Sequence, residues 1–374
     1  MKNNMFGFGC MRLPLLDKND QTSIDFELTE KMFDEYLSRG YTYFDTAYVY
    51  HGKFGEKAVK KALVDRYDRH SFEIATKLPL WNLTSKEQVE EIFNEQLDNL
   101  GVKYFDYYLV HCITKDNYQN AVDYDVFDFV ANKKKQGLIK HVGFSFHEDP
   151  QMLEEILTKY GDKVDFVQLQ INYLDWEAPN VQSRGCLQVA KKFKKPVTVM
   201  EPCKGGKLVN VSDDVVDLFK KCNPDRSIAS WAFRFCLSQS GVARVLSGMN
   251  SMEQVEDNLN TIDNFEHLND EERKTIDEAV KLINSKIVVP CTGCSYCTKD
   301  CPMNIAIPDY FELYNNSKAF TKARDAQQNR YEQIVKSGKG KASDCIECGQ
   351  CESKCPQHIE IRNFLKDVAK EFEK

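Results

Sequence analysis

The 374-residue chain lacks any apolar run of the length a membrane span requires. Its first residues, MKNNMFGFGCMRLPL, hold no apolar stretch long enough for an export signal. These absences predict a cytoplasmic protein with no membrane partner. An excess of basic charge is lacking too. The 50 Lys and Arg stand against 57 Asp and Glu, a net charge of −7, which argues against a general nucleic-acid or anionic-lipid surface. No glycine-rich dinucleotide fingerprint follows a strand pattern, and no separate flavin domain is visible. What the chain has in excess is cysteine, 14 in all, eight of them between Cys291 and Cys355. Without an export signal, that density points to metal rather than to a disulfide framework. The apolar fraction of 42% suffices for a real core, and the length predicts one large and one small domain.

From Met5 onward, short apolar runs alternate with helical spacing. The run MFGFGCM, residues 5–11, suits a first strand whose glycines let backbone approach a ligand. Helical spacing over 26–39 ends at Gly40, a C-cap signal. Further strands are expected at 42–47, 72–77, 106–111, 140–145, 166–170, 196–200 and 243–247, with helices at 55–67, 86–100, 122–135, 150–160, 184–194 and onward to Leu237. Eight strands alternating with helices over about 280 residues predict an α/β chain folded as a (β/α)8 TIM barrel. A polar helical stretch, 260–284, with Glu271, Glu272, Arg273 and Lys274 on a solvated face, leads out of it.

Three successive strand ends carry polar groups. TYFDTAYVY places Asp45 and Tyr50 at the first, SFEIATKLPL closes near Lys77, and YFDYYLVHC closes on His111. Singly, each reads as a cap or packing residue; together they make an acid of tuned strength. A phenol with an ordinary pKa near 10 donates a proton poorly at neutral pH unless its phenolate is stabilised. A nearby ammonium does this, and a carboxylate holds the ammonium. Tyr50 is then the general acid, Lys77 and Asp45 its support, and His111 the group that orients a carbonyl oxygen. DTAYVY, ATKLP and YLVH match in order and spacing the motifs of the aldo/keto reductase family, which this chain resembles. The resemblance implies a carbonyl reductase fed with hydride by a nicotinamide.

The same resemblance implies cofactor contacts at later strand ends: Ser145 and Gln168 at the nicotinamide carboxamide, with Asn172 in the same motif, Pro202, Cys203 and Gly205 in the loop over the pyrophosphate, and Gly248, Gln254 and Asn258 at the adenosine half. Ser251 reads as the N-cap of a helix starting there. Several positions depart from the family pattern. Phe146 stands where an Asn is usual, Met200 where an aromatic stacks on the nicotinamide, and Gly248 and Gln254 where a Lys and an Arg grip the 2′-phosphate. Losing those two cations removes charge-assisted bonds of ~1.5–3 kcal/mol each, which favours NAD(H) over NADP(H). The hairpin that usually caps the barrel floor has too few residues to form here, a departure that bears on stability more than on chemistry.

Cys291, Cys294, Cys297 and Cys301 precede Pro302, and Cys345, Cys348, Cys351 and Cys355 precede Pro356. Each run is C-x2-C-x2-C-x3-C-P and resembles that of bacterial two-cluster ferredoxins, in which the fourth cysteine of one run ligates the other cluster. The resemblance assigns one [4Fe-4S] cluster to Cys291, Cys294, Cys297 and Cys355, and the other to Cys345, Cys348, Cys351 and Cys301. Structural zinc sites use paired C-x2-C units instead. The insert between the runs reads as helical, over 310–318 and 320–334, like the ferredoxin modules of larger oxidoreductases. The expected division is a barrel over 1–285 and a two-cluster domain over 286–374.

Such clusters pass single electrons, whereas the tetrad suits hydride chemistry, and a flavin is the usual converter between them. Three functions are therefore open: an NADH-dependent aldehyde or ketone reductase whose clusters meet a redox partner, a ferredoxin-driven reductase with a flavin in the barrel, or a non-catalytic electron-transfer or scaffold protein.

Overall fold

The computed structural model describes residues 4–179 and 181–373. Eight strands close into a barrel in sequence order: β1 Phe6–Gly9, β2 Tyr43–Asp45, β3 Glu73–Pro79, β4 Phe105–Ile113, β5 Ile139–Phe146, β6 Phe166–Gln170, β7 Val197–Met200 and β8 Val242–Gly248. Every neighbouring pair is parallel, β1 with β8 included. Each strand lies within a residue or two of the run that predicts it.

The helices in this part are α1 Phe26–Ser38, α2 Gly55–Val59, α3 Glu87–Leu100, α4 Tyr118–Asp123, α5 Val126–Lys135, α6 Pro150–Tyr160, α7 Ser183–Lys192, α8 Asp213–Cys222, α9 Ile228–Leu237, α10 Met252–Asp263 and α11 Asp270–Asn284. Three differ from expectation. The stretch 55–67 starts as α2 but continues as a π-helical turn over Lys60–Val64. The stretch 122–135 is broken because Asp125 adopts left-handed backbone with φ 50°. The stretch 260–284 is not one helix: α10 ends at Asp263, and α11 restarts with Asn269 capping Glu272 while Glu272 caps Asn269 in return. That reciprocal cap buries Glu272, which therefore does not belong to a solvated face.

Alternation along the strands decides which side chains fill the barrel. Tyr43, Tyr107, Phe166 and Arg244 come from β2, β4, β6 and β8 near their N-terminal ends, one layer drawn from alternate strands. The Arg244 guanidinium lies 3.7 Å from the Tyr43 ring centre and 5.0 Å from that of Tyr107. Stacking of this kind contributes up to ~2 kcal/mol when desolvated. The floor is thus closed from within. Two glycines make room for it. A Cβ on Gly7 would lie 2.7 Å from the Tyr43 ring, and one on Gly143 would lie 2.6 Å from Phe166. Two residues further along β2 and β6 stand the polar Asp45 and Gln168, and on β3 Lys77 follows Ala75 by the same step, whereas β4 and β8 carry Leu109 and Leu246.

The chain forms two compact units. The barrel unit runs to Cys203 and resumes over Ala229–Leu268, while Lys204–Ile228 joins the chain from Asn269 onward. The second unit contains α8, α11 and the helices α12 Ile307–Ala319, α13 Arg324–Lys336, α14 Gln350–Ser353 and α15 Ile361–Phe372. Tyr310, Phe311, Ile361, Leu365 and Val368 belong to its core, against which all the run cysteines but the exposed Cys294 and Cys348 are packed. Among the described residues no helix is long and apolar enough to cross a membrane.

Candidate active site and cluster cavities

Register brings the polar strand ends together. Asp45 pairs with Gly9 on one side and Ala75 on the other, and Pro79 pairs with His111. The Lys77 ammonium, 1% exposed, donates to Asp45 Oδ1 at 2.5 Å and to the Thr46 carbonyl at 2.7 Å, and reaches the Tyr50 hydroxyl at 3.4 Å. Gln168 donates to the other Asp45 oxygen at 3.2 Å. Burial alone would lower the lysine pKa, but Asp45 and Tyr50 outweigh it and the net direction is upward, so Lys77 remains an ammonium. Burial pushes the Tyr50 phenol up; Lys77 offsets part of that rise without reversing it. The ammonium thus keeps a desolvated phenol from becoming still weaker, a smaller effect than outright acidification.

His111 is aimed by an irregularity. The β4–β5 register shifts between Val110 and Ile113, and Cys112 takes left-handed backbone with φ 53°, the geometry of a bulge that redirects a side chain. The Cys112 N–H donates to Ser145 Oγ at 2.7 Å, fixing the bulge. His111 then faces Tyr50, ring centres 6.0 Å apart, with the half-exposed Trp81 5.1 Å away. Burial, with the charge of Lys77 and His147 nearby, pushes its pKa well below the ordinary imidazole value, so the ring is neutral. Its Nδ1 is buried without a hydrogen-bond partner among the described residues.

The positions expected to touch a dinucleotide divide by what already holds them. Asn172 is fully engaged: its amide N–H groups meet Asp175 and the Glu201 carbonyl, and its oxygen accepts from Leu174 and Asp175. Asn258 donates to Ser247 Oγ at 3.1 Å. Gln254 accepts from the Asn250 N–H, and Ser251 caps α10 as the sequence predicts. Gly248 ends β8 beside Gly9, and the aliphatic stem of Arg12 lies over it, 3.5 Å from a Cβ placed there. Pro202 and Cys203 follow β7, and burial raises the Cys203 thiol to about 12. In the second unit, Gly205 sits in a left-handed turn, φ 66°, within Lys204–Val209.

Two groups in this region escaped the sequence reading. Arg12, partly exposed and 3.6 Å from Glu201, is a cation beside Gly248 that the motif GCMRLP does not announce. Glu56 is fully buried and forms no ion pair among the described residues. It accepts from Thr76 Oγ1 at 2.6 Å, Gln96 Nε2 at 2.8 Å and Asn99 Nδ2 at 3.1 Å, and Gln96 also holds the Lys77 carbonyl at 3.1 Å.

In the second unit the eight run cysteines line two small cavities. One is lined by Cys291, Cys294, Cys297 and Cys355, the other by Cys301, Cys345, Cys348 and Cys351. The fourth cysteine of each run has crossed to the other cavity. Apolar side chains such as Ile307, Phe311, Ile359 and Leu365 complete the walls. Four thiols surrounding a largely apolar cavity, rather than meeting at one point about 2.3 Å from each sulfur, suit a multi-iron cluster; the residues fit two such groups.

Comparison with known proteins agrees with both parts. The model for the aldo/keto reductase family matches residues 6–281, and that for a 4Fe-4S dicluster domain matches residues 290–360. The uncharacterized oxidoreductase YqkF of Bacillus subtilis is 25% identical over 304 residues, 74% of this chain and 92% of that protein. Among solved structures, the holo form of aldo-keto reductase AKR11C1 from Bacillus halodurans is similar at 25% identity and TM-score 0.59, over 73% of this chain and 91% of that one. An aldo-keto reductase from Klebsiella pneumoniae in complex with NADPH has the same fold, with 19% identity and TM-score 0.58, over 73% and 89% of the two chains.

Proposed function

The chain belongs to the aldo/keto reductase family and is an oxidoreductase with a 4Fe-4S dicluster domain, and from that premise we propose that it reduces an aldehyde or ketone with Tyr50 as general acid. The observation that carries this reading is the Lys77 ammonium held between Asp45 at 2.5 Å and the Tyr50 hydroxyl at 3.4 Å inside the barrel. A nicotinamide bound at the strand ends supplies the hydride, and two [4Fe-4S] clusters supply one-electron exchange. His111, neutral, orients the carbonyl oxygen toward Tyr50. As carbon gains hydride, the phenol gives its proton to that oxygen, and the phenolate left behind pairs with Lys77. Ser145 and Gln168 contribute carboxamide contacts, Gly248, Gln254 and Asn258 the adenosine end, and Pro202, Cys203 and Gly205 the pyrophosphate loop, while Asn172 acts through the loop it braces.

NADH is favoured over NADPH because Gly248 and Gln254 replace two cations; Arg12 beside Gly248 is a charge that could serve a 2′-phosphate instead. In this reading the barrel spans 1–285 and the cluster domain 286–374, the protein works in the cytoplasm, and ferredoxin or another redox protein meets the clusters. A second reading, favoured by Phe146 and Met200 at the nicotinamide positions, brings electrons in from reduced ferredoxin through a flavin in the barrel.

The test is anaerobic turnover of simple aldehydes with NADH and with NADPH by the wild type and Tyr50→Phe. The expected result is NADH-dependent reduction that falls about 10²- to 10⁴-fold in the variant. Unchanged turnover would remove Tyr50 from the chemistry. Bleaching of cluster absorbance by NADH alone would mean that a flavin joins the two halves in one circuit, whereas turnover with reduced ferredoxin and none with NADH would move the assignment to the second reading.

A further inference from the structure

The two cysteine runs belong to a repeat that extends beyond them. CPMNIAIP from Cys301 and CPQHIEIR from Cys355 correspond residue by residue, and each leads into a helix, α12 or α15. Backbone repeats as well. Asn304 and His358 are left-handed at φ 51° and 52°, as are Gly293 and Glu347, and Ser295 and Gly349. The N–H of Asn304 donates to Cys301, and that of His358 to Cys355, at 3.0 and 3.1 Å. The cavities are therefore near-copies, and a difference in their walls is a difference in the surroundings of otherwise equal clusters.

The walls differ in charge at one position, while Thr292, Ser295 and Gln357 of the first cavity stand where the second has the neutral Ile346, Gly349 and Met303. The cavity of Cys291, Cys294, Cys297 and Cys355 has Pro308 in its wall, and at the matching place the cavity of Cys301, Cys345, Cys348 and Cys351 has Arg362. Gly349 leaves space for the guanidinium, whose Cζ would lie 3.9 Å from a Cβ there, where the first cavity has Ser295. Arg362 is held from behind: Nε and Nη2 meet Glu352 Oε2 at 3.0 and 2.8 Å, and Nη1 points to the Glu347 carbonyl at 3.4 Å. Glu352 itself does not line the cavity. Other charges stand beside the run cysteines: Asp300 before Cys301 pairs with Lys354 before Cys355 at 3.9 Å, Asp344 before Cys345 accepts from the Lys341 N–H at 2.7 Å, and Lys366 pairs with Glu347 at 2.8 Å. What distinguishes the lining of the second cavity is thus a charged residue, an arginine whose carboxylate partner does not line it.

Reduction of a [4Fe-4S] cluster adds one electron and one negative charge without breaking a bond, and a cation at the wall favours the reduced form. We propose that Arg362 makes the cluster of Cys301, Cys345, Cys348 and Cys351 the higher in potential of the two, so that the first electron from a one-electron donor rests there. This rests on the cluster assignment above.

The experiment is an anaerobic potentiometric titration of the full chain with dithionite, followed by electron paramagnetic resonance, for the wild type, Arg362→Gln and Glu352→Gln. The wild type should hold about eight irons and show two midpoints. Arg362→Gln should lower only the higher midpoint, by about tenfold in the reduction equilibrium, which is 59 mV for one electron. Glu352→Gln, which frees the cation from its partner, should raise that same midpoint. If Arg362→Gln loses a cluster, the sign of the Glu352→Gln shift decides alone: a rise supports the proposal, and a fall or no change overturns it. Two intact clusters with both midpoints unmoved, or with only the lower one moved, overturn the role of Arg362 and leave the cluster assignment standing. Fewer than two clusters in the wild type overturns the assignment and the proposal together.

Discussion

Replacing Glu56 by Gln tests the buried network beneath Lys77. In the folded chain burial pushes the Glu56 carboxyl up from 4.5 to about 7, its three hydrogen bonds offsetting only part of the rise. On unfolding it returns to its ordinary value, so across that window the folded state holds a proton that the unfolded state has released. Stability from this group is fully present below pH 4.5 and is lost as pH rises through about 7. A separation of about 2.5 pH units corresponds to roughly 3 kcal/mol, falling at about 1 kcal/mol per unit near the middle of the window. A Gln stays neutral throughout but turns an N–H group toward one of the three donors, costing about 1 kcal/mol at any pH. The variant should therefore be slightly less stable than wild type near pH 5 and about 2 kcal/mol more stable near pH 8. Urea unfolding followed by tryptophan fluorescence reads this directly, because Trp81, Trp176 and Trp231 all lie in the barrel unit. Parallel stability curves for the two proteins between pH 5 and 8 would refute the reasoning, since they would mean that Glu56 titrates as a solvated group.

Other outcomes follow from the same geometry. Asp45→Asn strands the Lys77 ammonium in a pocket where it is 1% exposed, and should destabilise the barrel by about 3–5 kcal/mol in the same unfolding assay. Cys291→Ser and Cys355→Ser each should lower iron from about eight to about four per chain, and so should the two combined, whereas Cys291→Ser with Cys301→Ser should leave almost none; iron and sulfide analysis distinguishes this crossed ligation from one cluster per run. The His111 ring, held neutral by burial, should give imidazole nitrogen shifts that stay flat from pH 8 down to 6. Titration near the ordinary value of 6.5 would show instead that water reaches the ring.

The barrel and both polar constellations were legible because their signals are local. Parallel strands buried on both faces appear as short apolar runs, and the period of two places Lys77 inward two residues after Ala75. Cysteine spacing carries cluster chemistry within eleven residues per run, and the resemblance to two-cluster ferredoxins already implies the exchange of Cys301 and Cys355 seen in the linings of the two cavities. Glu56 was illegible for the opposite reason. A glutamate in the first turn of a helix reads as a solvated group facing the helix N-terminus, and the partners that bury it, Thr76, Gln96 and Asn99, stand 20 to 43 residues away. The breaks at Asp125 and before Asn269 were missed because neither contains proline or glycine; a left-handed Asp and a reciprocal Asn–Glu cap end helices without the usual punctuation.

The floor layer of Tyr43, Tyr107, Phe166 and Arg244 bears on how the chain is made as well as on how it stands. During synthesis β1 emerges first, yet its partner Val245 and the guanidinium that stacks on Tyr43 arrive some 240 residues later. Until then the nascent barrel is an open sheet with an unpaired edge and two tyrosines lacking their lid. Ring closure over that sequence separation is slow and entropically costly, and it completes both the last ladder and the floor in one event. The N-terminal strand, short and bearing two glycines, is a poor template for stray pairing while it waits.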